Sequence, residues 1–532
     1  MSRNFLKTVI FVIILSLFVS SLLAGCGKTK KTISNGIKYP SNGEVYPMET
    51  DATLSVWGMS SNSSSTSLES SPFGKKWQEL TGVTVEFQQP MAGTNGSSEG
   101  LSLLIASGDL PDIIISNLYN QPGGIKKFAD DGVIIRLNEV MDKYAPNLVK
   151  YLNENKDIDK MVKSDDGSYY MFPFIRGDEI LSVSSGPVIR KDLLDEGGLA
   201  VPETIDEWYV ALKYFKERGA DAPLSYDFAS WEKLGVFLGA YGVKADFYVV
   251  DGKVKYGYLE PQMKDALSNL KKWYDEGLLD KNFIKIGDLD SKILTSEACA
   301  SVLFAGSGLG KYLSAMREKD PKFNLVPTKF PVLNKGDKPM FGTKEFRYVP
   351  NNNGFITTAC QNVELVARFL DFGYSEKGHM LFNFGIEGES YVMEDGYPRY
   401  TELITKNPEG LSMSNVMVKY MRASMSGPFV QDKRYIEQYY TFEQQKDALK
   451  LWSETDTLKY NIPMVSFDEE QSQQLSSIMN NVKTYVDETV FKFIMGIEPI
   501  ENYDKFVSQL KALGIEKAIE IYQKAVENYQ NR

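Results

Sequence analysis

The hexapeptide Tyr226-Asp227-Phe228-Ala229-Ser230-Trp231 places three aromatic rings and a carboxylate within six positions. Rings offer flat apolar faces and a carboxylate accepts hydrogen bonds from hydroxyls. That mixture suits a small polyhydroxylated molecule, with C–H faces to stack and O–H groups to anchor. The same residue types also build ordinary cores. Two further clusters share this chemistry. Trp57-Gly58-Met59-Ser60-Ser61-Asn62 joins a ring to polar side chains, and Ser116-Asn117-Leu118-Tyr119-Asn120-Gln121 supplies amides and a phenol. Trp57 reads equally as a core residue before a loop. Carboxylates gather at Arg176-Gly177-Asp178-Glu179 and Gly385-Ile386-Glu387-Gly388-Glu389. A pair of them could cleave a glycosidic bond, bind hydroxyls or face solvent, and spacing along the chain does not give the separation that decides.

Other chemistry is excluded by what is scarce. The single histidine, His379, rules out His-rich zinc sites and paired-histidine acid–base work. Cys26, Cys299 and Cys360 lack CxxC spacing and allow at most one bridge. Ala305-Gly306-Ser307-Gly308-Leu309-Gly310-Lys311-Tyr312 imitates a phosphate loop, but Ala305 stands where the first glycine belongs and Tyr312 where a magnesium-binding hydroxyl belongs. A tight turn entering a helix accounts for its glycines better. Lys and Arg total 59 against 70 Asp and Glu, a net charge of −11, so a nucleic-acid backbone would be repelled. No cofactor and no metal is expected.

The elements that must position these side chains alternate. Thr53 to Trp57 is β-prone, Ser71 to Leu80 is helical and ended by Gly82, and Val83 to Gln89 alternates again. Glu99 to Ala106 is helical before the apolar strand Asp112 to Ser116. This order predicts an α/β unit with a largely parallel sheet, and such sheets collect ligands beyond the carboxyl ends of their strands. The α/β character continues through helices Pro202 to Lys216, Pro261 to Glu276 and Val363 to Tyr374, with strands Ala300 to Phe304 and Gly354 to Thr358. A capping box at Ser466-Phe467-Asp468-Glu469 then opens a helical extension running to Tyr529. With 532 residues and 43% hydrophobic content, the chain can bury two or three domains.

The start of the chain is a leader. Arg3 and Lys7 precede an uncharged stretch from Thr8 to Gly27 that closes on Leu23-Ala24-Gly25-Cys26. This resembles the bacterial lipobox, in which cleavage leaves Cys26 as the acylated first residue. Residues 1–25 are then a signal peptide, and 26–50 a lipidated cysteine with a flexible tether.

Lipobox, tether, Ala106-Ser107-Gly108-Asp109-Leu110-Pro111-Asp112-Ile113, Asp166-Gly167-Ser168-Tyr169-Tyr170-Met171-Phe172-Pro173, Arg190-Lys191-Asp192-Leu193-Leu194, Pro202-Glu203-Thr204-Ile205-Asp206-Glu207-Trp208 and Gly385-Ile386-Glu387-Gly388 occur in one order. The chain resembles the large lipoprotein branch of the family 1 extracellular solute-binding proteins of ABC sugar importers in Gram-positive bacteria. That resemblance implies a periplasmic-binding-protein-like fold with two discontinuous α/β lobes, 51–175 plus 330–375 and 176–329 plus 376–532, joined by a hinge. It implies a monomeric receptor held to the outer face of the cytoplasmic membrane by its lipid. The receptor captures an oligosaccharide between the lobes and passes it to permease subunits, with no covalent chemistry. Carried over by position, Trp57, Asn62, Asn117, Tyr119 and Asn120 line one lobe; Asp178, Glu179, Asp227, Phe228, Trp231, Phe304 and Ser307 face them from the other. Some relatives have a calcium loop after the helix containing Trp208; Glu217-Arg218-Gly219-Ala220-Asp221-Ala222-Pro223 lacks its alternating oxygens, so no calcium is expected there. A peptide-binding receptor and a glycan hydrolase or lyase remain as alternatives.

Overall fold

A computed structural model describes residues 36–58, 68–88, 96–121 and 123–532. Cys26 and Asn62 lie outside the described residues, as do Met59, Ser60 and Ser61. In chain order the strands are β1 (Thr53–Gly58), β2 (Thr84–Gln88), β3 (Ile113–Ser116), β4 (Phe172–Arg176), β5 (Ser185–Arg190), β6 (Phe247–Val250), β7 (Lys253–Tyr256), β8 (Ala300–Phe304), β9 (Leu325–Pro327), β10 (Tyr348–Ile356), β11 (Tyr391–Glu394), β12 (Tyr397–Tyr400) and β13 (Val430–Gln431).

The expected unit is present as β1, helix Pro72–Thr81, β2, helix Gly96–Ser107 and β3. Its first helix is specified locally. Ser71 Oγ accepts the Gly74 N–H, Pro72 opens the helix, and Gly82 closes it at φ 72°. Trp77 is fully buried and stacks on Phe369 at 4.3 Å between ring centroids. The sheet runs β13-β4-β10-β3-β1-β2. It is parallel at β2-β1-β3 and β13-β4, but β10 is antiparallel to both neighbours, so the largely parallel expectation holds only for the flanks. A second sheet, β8-β5-β9, is wholly antiparallel.

Each sheet has its own core. Val56, Trp77, Ile113, Phe172, Phe355 and Phe369 belong to the first; Trp208, Trp273, Phe283, Val302 and Trp452 belong to the second. The chain leaves the first core after Ile175, with Leu181 in the second, and returns between Phe330 and Tyr348. The third passage was expected near 375, yet Leu381 and Phe382 still pack in the first core and Phe384 begins the second. Phe382 meets Phe73 and Trp77 at 5.0 and 5.2 Å, which holds most of helix Glu376–Phe384 on the first lobe. Phe429 and Val430 return to the first core as well, adding β13 to its sheet.

Two further readings change. Residues 36–50 are not a tether: Lys38 pairs with Glu49 as a bridge, Met48 N–H donates to Thr81 O at 2.8 Å, and Tyr46 and Met48 are buried. Two apolar side chains without periodicity suffice to dock the segment. The capping box sits at Asp468 and Gln471, not Ser466 and Glu469. Ser466 Oγ is engaged elsewhere, accepting from Arg532 at 3.1 Å. The two cysteines beyond the leader, Cys299 in the second core and Cys360 against the first, form no disulfide. In the loop after helix Ile205–Glu217, Lys216 Nζ donates to Asp221 O at 2.9 Å, and Ala220 and Ala222 are buried. Among the described residues no group of three or more His, Cys, Asp or Glu gathers as a metal site, and no helix is long and apolar enough to cross a membrane.

Two buried carboxyls tie loops to these cores. Glu232, fully buried, accepts from Tyr226 Oη at 3.0 Å and from the Phe237 and Leu238 N–H groups. Asp371 accepts from the Leu148 N–H at 2.8 Å and Asn147 Nδ2 at 2.7 Å. Burial outweighs these bonds, pushing Glu232 up to about 7 and Asp371 to about 6. Both values lie above the unfolded ones, so this stabilisation is complete at pH below about 4 and is lost as pH rises towards 7. Each group is expected to contribute about 3 kcal/mol to that loss. Urea unfolding at pH 5 and pH 8 checks this: Glu232→Gln should reduce the pH dependence by about that amount, and an unchanged difference would contradict it.

Candidate ligand cavity between the lobes

The first wall is built by the turn after β3, segments 123–126 and 161–164, Met171 and Tyr348, and β3 is held in place by β1. Gly58, at φ 109°, lets β1 pass against the Ile115 carbonyl. Trp57 is buried in the first core, its backbone in register with Gln88 and Ile114, so it is a core residue. Beyond β3, Asn117 Nδ2 donates to Asn351 Oδ1 at 2.9 Å, while Asn117 Oδ1 accepts the Asn120 N–H at 3.1 Å. Asn117 thus shapes the turn that presents Tyr119, Asn120 and Gln121 to a cavity of about 580 Å³. Tyr119 Oη donates across it to Val465 O at 2.6 Å, and burial pushes the phenol's pKa upward.

The opposite wall comes from the second lobe: Lys233, Leu234, Lys244, Asp246 and Phe247, closed by segment 461–467, Tyr522 and Arg532. Lys244 is buried and donates to Asn461 Oδ1 at 2.9 Å. Arg532 donates to Asp165 Oδ1 at 2.7 Å and to Lys163 O at 2.6 Å, tying the last helix, Ile515–Gln530, to the first lobe. The enclosure therefore combines rings, amides and cations drawn from both lobes, the make-up of a pocket for a polar molecule with apolar faces.

A separate aromatic face lies on the second lobe. Trp231 and Phe304 meet at 5.4 Å between centroids, and Phe304 is 49% exposed. Ser307 is exposed on a π-helical segment, Ala305–Gly310, that runs into helix Lys311–Met316 in place of the tight turn expected of those glycines. Asp227 Oδ1 accepts the Ser230 N–H at 3.2 Å and so caps the short helix Phe228–Trp231. Trp231 stands two residues before Lys233, which lines the cavity. Phe228 does not face a ligand: it is buried, edge-on to Phe283 and Phe491.

The carboxylates at the first passage are committed to ion pairs and do not line the cavity. Glu179 pairs with Lys344 at 2.9 Å, and Asp178 with Lys433 at 3.0 Å. Partial burial of Asp178 raises its pKa, but the Ile180 N–H and Lys433 prevail and hold it below the usual range. A glycosidase acid needs the opposite shift. Glu387 is exposed on its loop.

Of the sequence candidates, then, Tyr119 and Asn120 line the cavity, Asn117 supports them, and Trp231, Phe304 and Ser307 form the neighbouring face with Asp227 as its cap. The cations Lys233, Lys244 and Arg532 and the ring of Tyr348 escaped sequence reading. None carries a local signal, since each gains meaning only from a partner or wall far away in the chain.

Residues 62–380 match the family described as bacterial extracellular solute-binding protein. The chain is 25% identical over 548 aligned residues to the fructooligosaccharide ABC transporter substrate-binding protein FusA of Streptococcus pneumoniae, covering 96% of each. It is 24% identical to Lipoprotein LipO of Bacillus subtilis, over 84% of this chain and 87% of that one. In fold it is similar to a human-milk-oligosaccharide (HMO) binding, ABC-transporter-associated solute-binding protein of Bifidobacterium longum infantis, with a TM-score of 0.73, 18% identity, and coverage of 90% and 99%. A family match over more than half the chain, on a two-lobed α/β frame with a cavity walled by both lobes, leaves one conclusion: this chain belongs to the bacterial extracellular solute-binding proteins.

Proposed function

We propose that the protein captures an oligosaccharide outside the cell and delivers it to the permease subunits of an ABC transporter, without making or breaking covalent bonds. The observation that carries this reading is the cavity of about 580 Å³ whose walls come from two separately cored lobes. Ligand contacts available only when both walls are near it stabilise a closed arrangement, and the permease reads that shape. Tyr119 and Asn120 serve as wall contacts. Trp231 and Phe304 serve as the stacking platform, and Ser307 and Asn62 as further contacts. The lobes divide as 51–175 with 330–375 and 176–329 with 376–532, apart from the helix and strand that cross back. FusA and the human-milk-oligosaccharide-binding neighbour, both named for oligosaccharides, support the ligand class.

The leader and Leu23-Ala24-Gly25-Cys26 support a mature protein acylated at Cys26, monomeric, on the outer face of the cytoplasmic membrane. The pairing of Asp178 with Lys433 speaks against a hydrolase built on that carboxylate. Thermal shift against a panel of oligosaccharides is the direct test, because a ligand that binds only the native state raises Tm. A rise of about 5 °C or more with at least one glycan, recovered intact by chromatography, is expected. No shift with any glycan would overturn capture, and recovery of shortened products would overturn the non-enzymatic reading.

A further inference from the structure

Four basic residues are buried among the described residues: Arg190, Lys244, Lys292 and Arg422. Arg190 is paired with Asp192 at 2.5 Å and Lys292 with Asp280 at 2.7 Å. A buried cation ordinarily needs such a partner, because losing water costs several kcal/mol per ion. Arg422 lacks one, but its guanidinium lies 5.0 Å from the Phe73 ring centroid, it donates to Met425 Sδ, and it lines neither described cavity. Lys244 is different: no carboxylate lies within ion-pair distance of it, Asp246 acting on it only from farther away, and it lines the cavity between the lobes.

The Lys244 ammonium has three N–H donors. One is given to the Asn461 amide oxygen at 2.9 Å, and the Phe341 ring lies beneath it at 5.7 Å. Asp246, on the same wall, directs Oδ1 to the Phe247 N–H at 2.7 Å and forms no ion pair with Lys244. Lys233 lines the wall too, exposed and without a carboxylate in ion-pair range. Across the cavity, Lys126, Lys163 and Arg532 complete the cationic lining, paired with Asp130, Asp159 and Asp165. Asp246 is the one carboxylate among the described lining residues. In a chain of net charge −11, this enclosure runs against the sign of the whole. A neutral sugar could offer the buried ammonium hydroxyl acceptors but no opposite charge; a ligand carboxylate would supply both the acceptor and the charge, and bonds with ionised partners are the strong ones.

Resting on the oligosaccharide-capture reading, we propose that the ligand is an acidic oligosaccharide carrying ring carboxylates, a uronic-acid oligomer. Lys244 binds one carboxylate inside the cavity and Lys233 a second at its wall, while the aromatic side chains stack the sugar rings. This combination needs both features in one molecule: the rings require pyranose faces and the ammonium requires an anion.

The experiment titrates the mature protein calorimetrically with tetramers of galacturonate, guluronate and glucuronate, each beside its carboxyl-reduced neutral counterpart of identical linkage. At least one acidic tetramer should bind 30-fold or more tightly than its reduced partner, and its affinity should fall as salt is raised. Lys244→Met should remove most of that preference and Lys233→Gln should lower it severalfold; Lys233 is exposed, so the second variant does not depend on tolerance of a core change. Equal binding of acid and reduced forms, or tight binding of reduced tetramers alone, would overturn the acidic assignment and leave sugar capture standing. Silence of all six, together with no thermal shift from any neutral glycan, would overturn the capture reading itself.

Discussion

Trp231→Ala is expected to weaken oligosaccharide binding by about 30-fold or more, while lowering Tm by no more than about 4 °C. Truncating a tryptophan at the centre of a contact typically costs about 2 kcal/mol or more, which is that factor in Kd. The ring is only half-buried, and its partner Phe304 is 49% exposed, so an apolar face stands open to solvent. Trp231→Phe keeps a face against Phe304 and should recover most of the affinity. The short helix carrying Trp231 keeps its Asp227 cap and its anchor at Glu232 in both variants. Isothermal titration with the glycan that gives the greatest thermal shift measures the effect. A Kd within threefold of the parent in Trp231→Ala would remove this face from the site.

Gly58→Ala should cost about 3 kcal/mol or more in urea unfolding and should abolish binding with it. A Cβ at position 58 would lie 2.0 Å from the Ile115 carbonyl oxygen, which is backbone of the neighbouring strand and cannot rotate away. The residue also holds φ at 109°, a region that costs an L-residue about 1–2 kcal/mol. Relief would require β1 to part from β3, and β3 leads into the turn that presents Tyr119 and Asn120. Gly287→Ala is the control: nothing lies within 4 Å of its Cβ and its φ is unexceptional, so its stability should stay within about 0.5 kcal/mol of the parent. If Gly58→Ala unfolds at the parent's urea midpoint, the close approach of the two strands is wrong.

The amino-acid order by itself determined the local elements, because their causes are local. Ser71, Pro72 and Gly82 set the bounds of the first helix through capping hydrogen bonds and backbone φ within a single turn of chain. Apolar runs at Ile113–Ser116 and Ala300–Phe304 predict strands whatever they pair with. The turn that carries Tyr119 and Asn120, directly after an apolar strand, was legible for the same reason.

Tertiary packing decided everything that depends on a distant partner. Both Trp57 and Trp231 are aromatic residues beside polar loops, yet Trp57 is buried in the first core while Trp231 stands beside the exposed ring of Phe304. The reversed strand β10 comes from pairing with β3 and β4 more than 170 positions earlier, and its sequence carries no mark of direction. The local pattern placed the cap at Ser466, but that hydroxyl accepts from the distant Arg532 and Asp468 caps the helix instead. Lys244 is one lysine among many in sequence. Only when Asn461 and the cavity wall surround it does its ammonium become a buried charge that wants an anion, because desolvation belongs to the folded environment and to no residue alone.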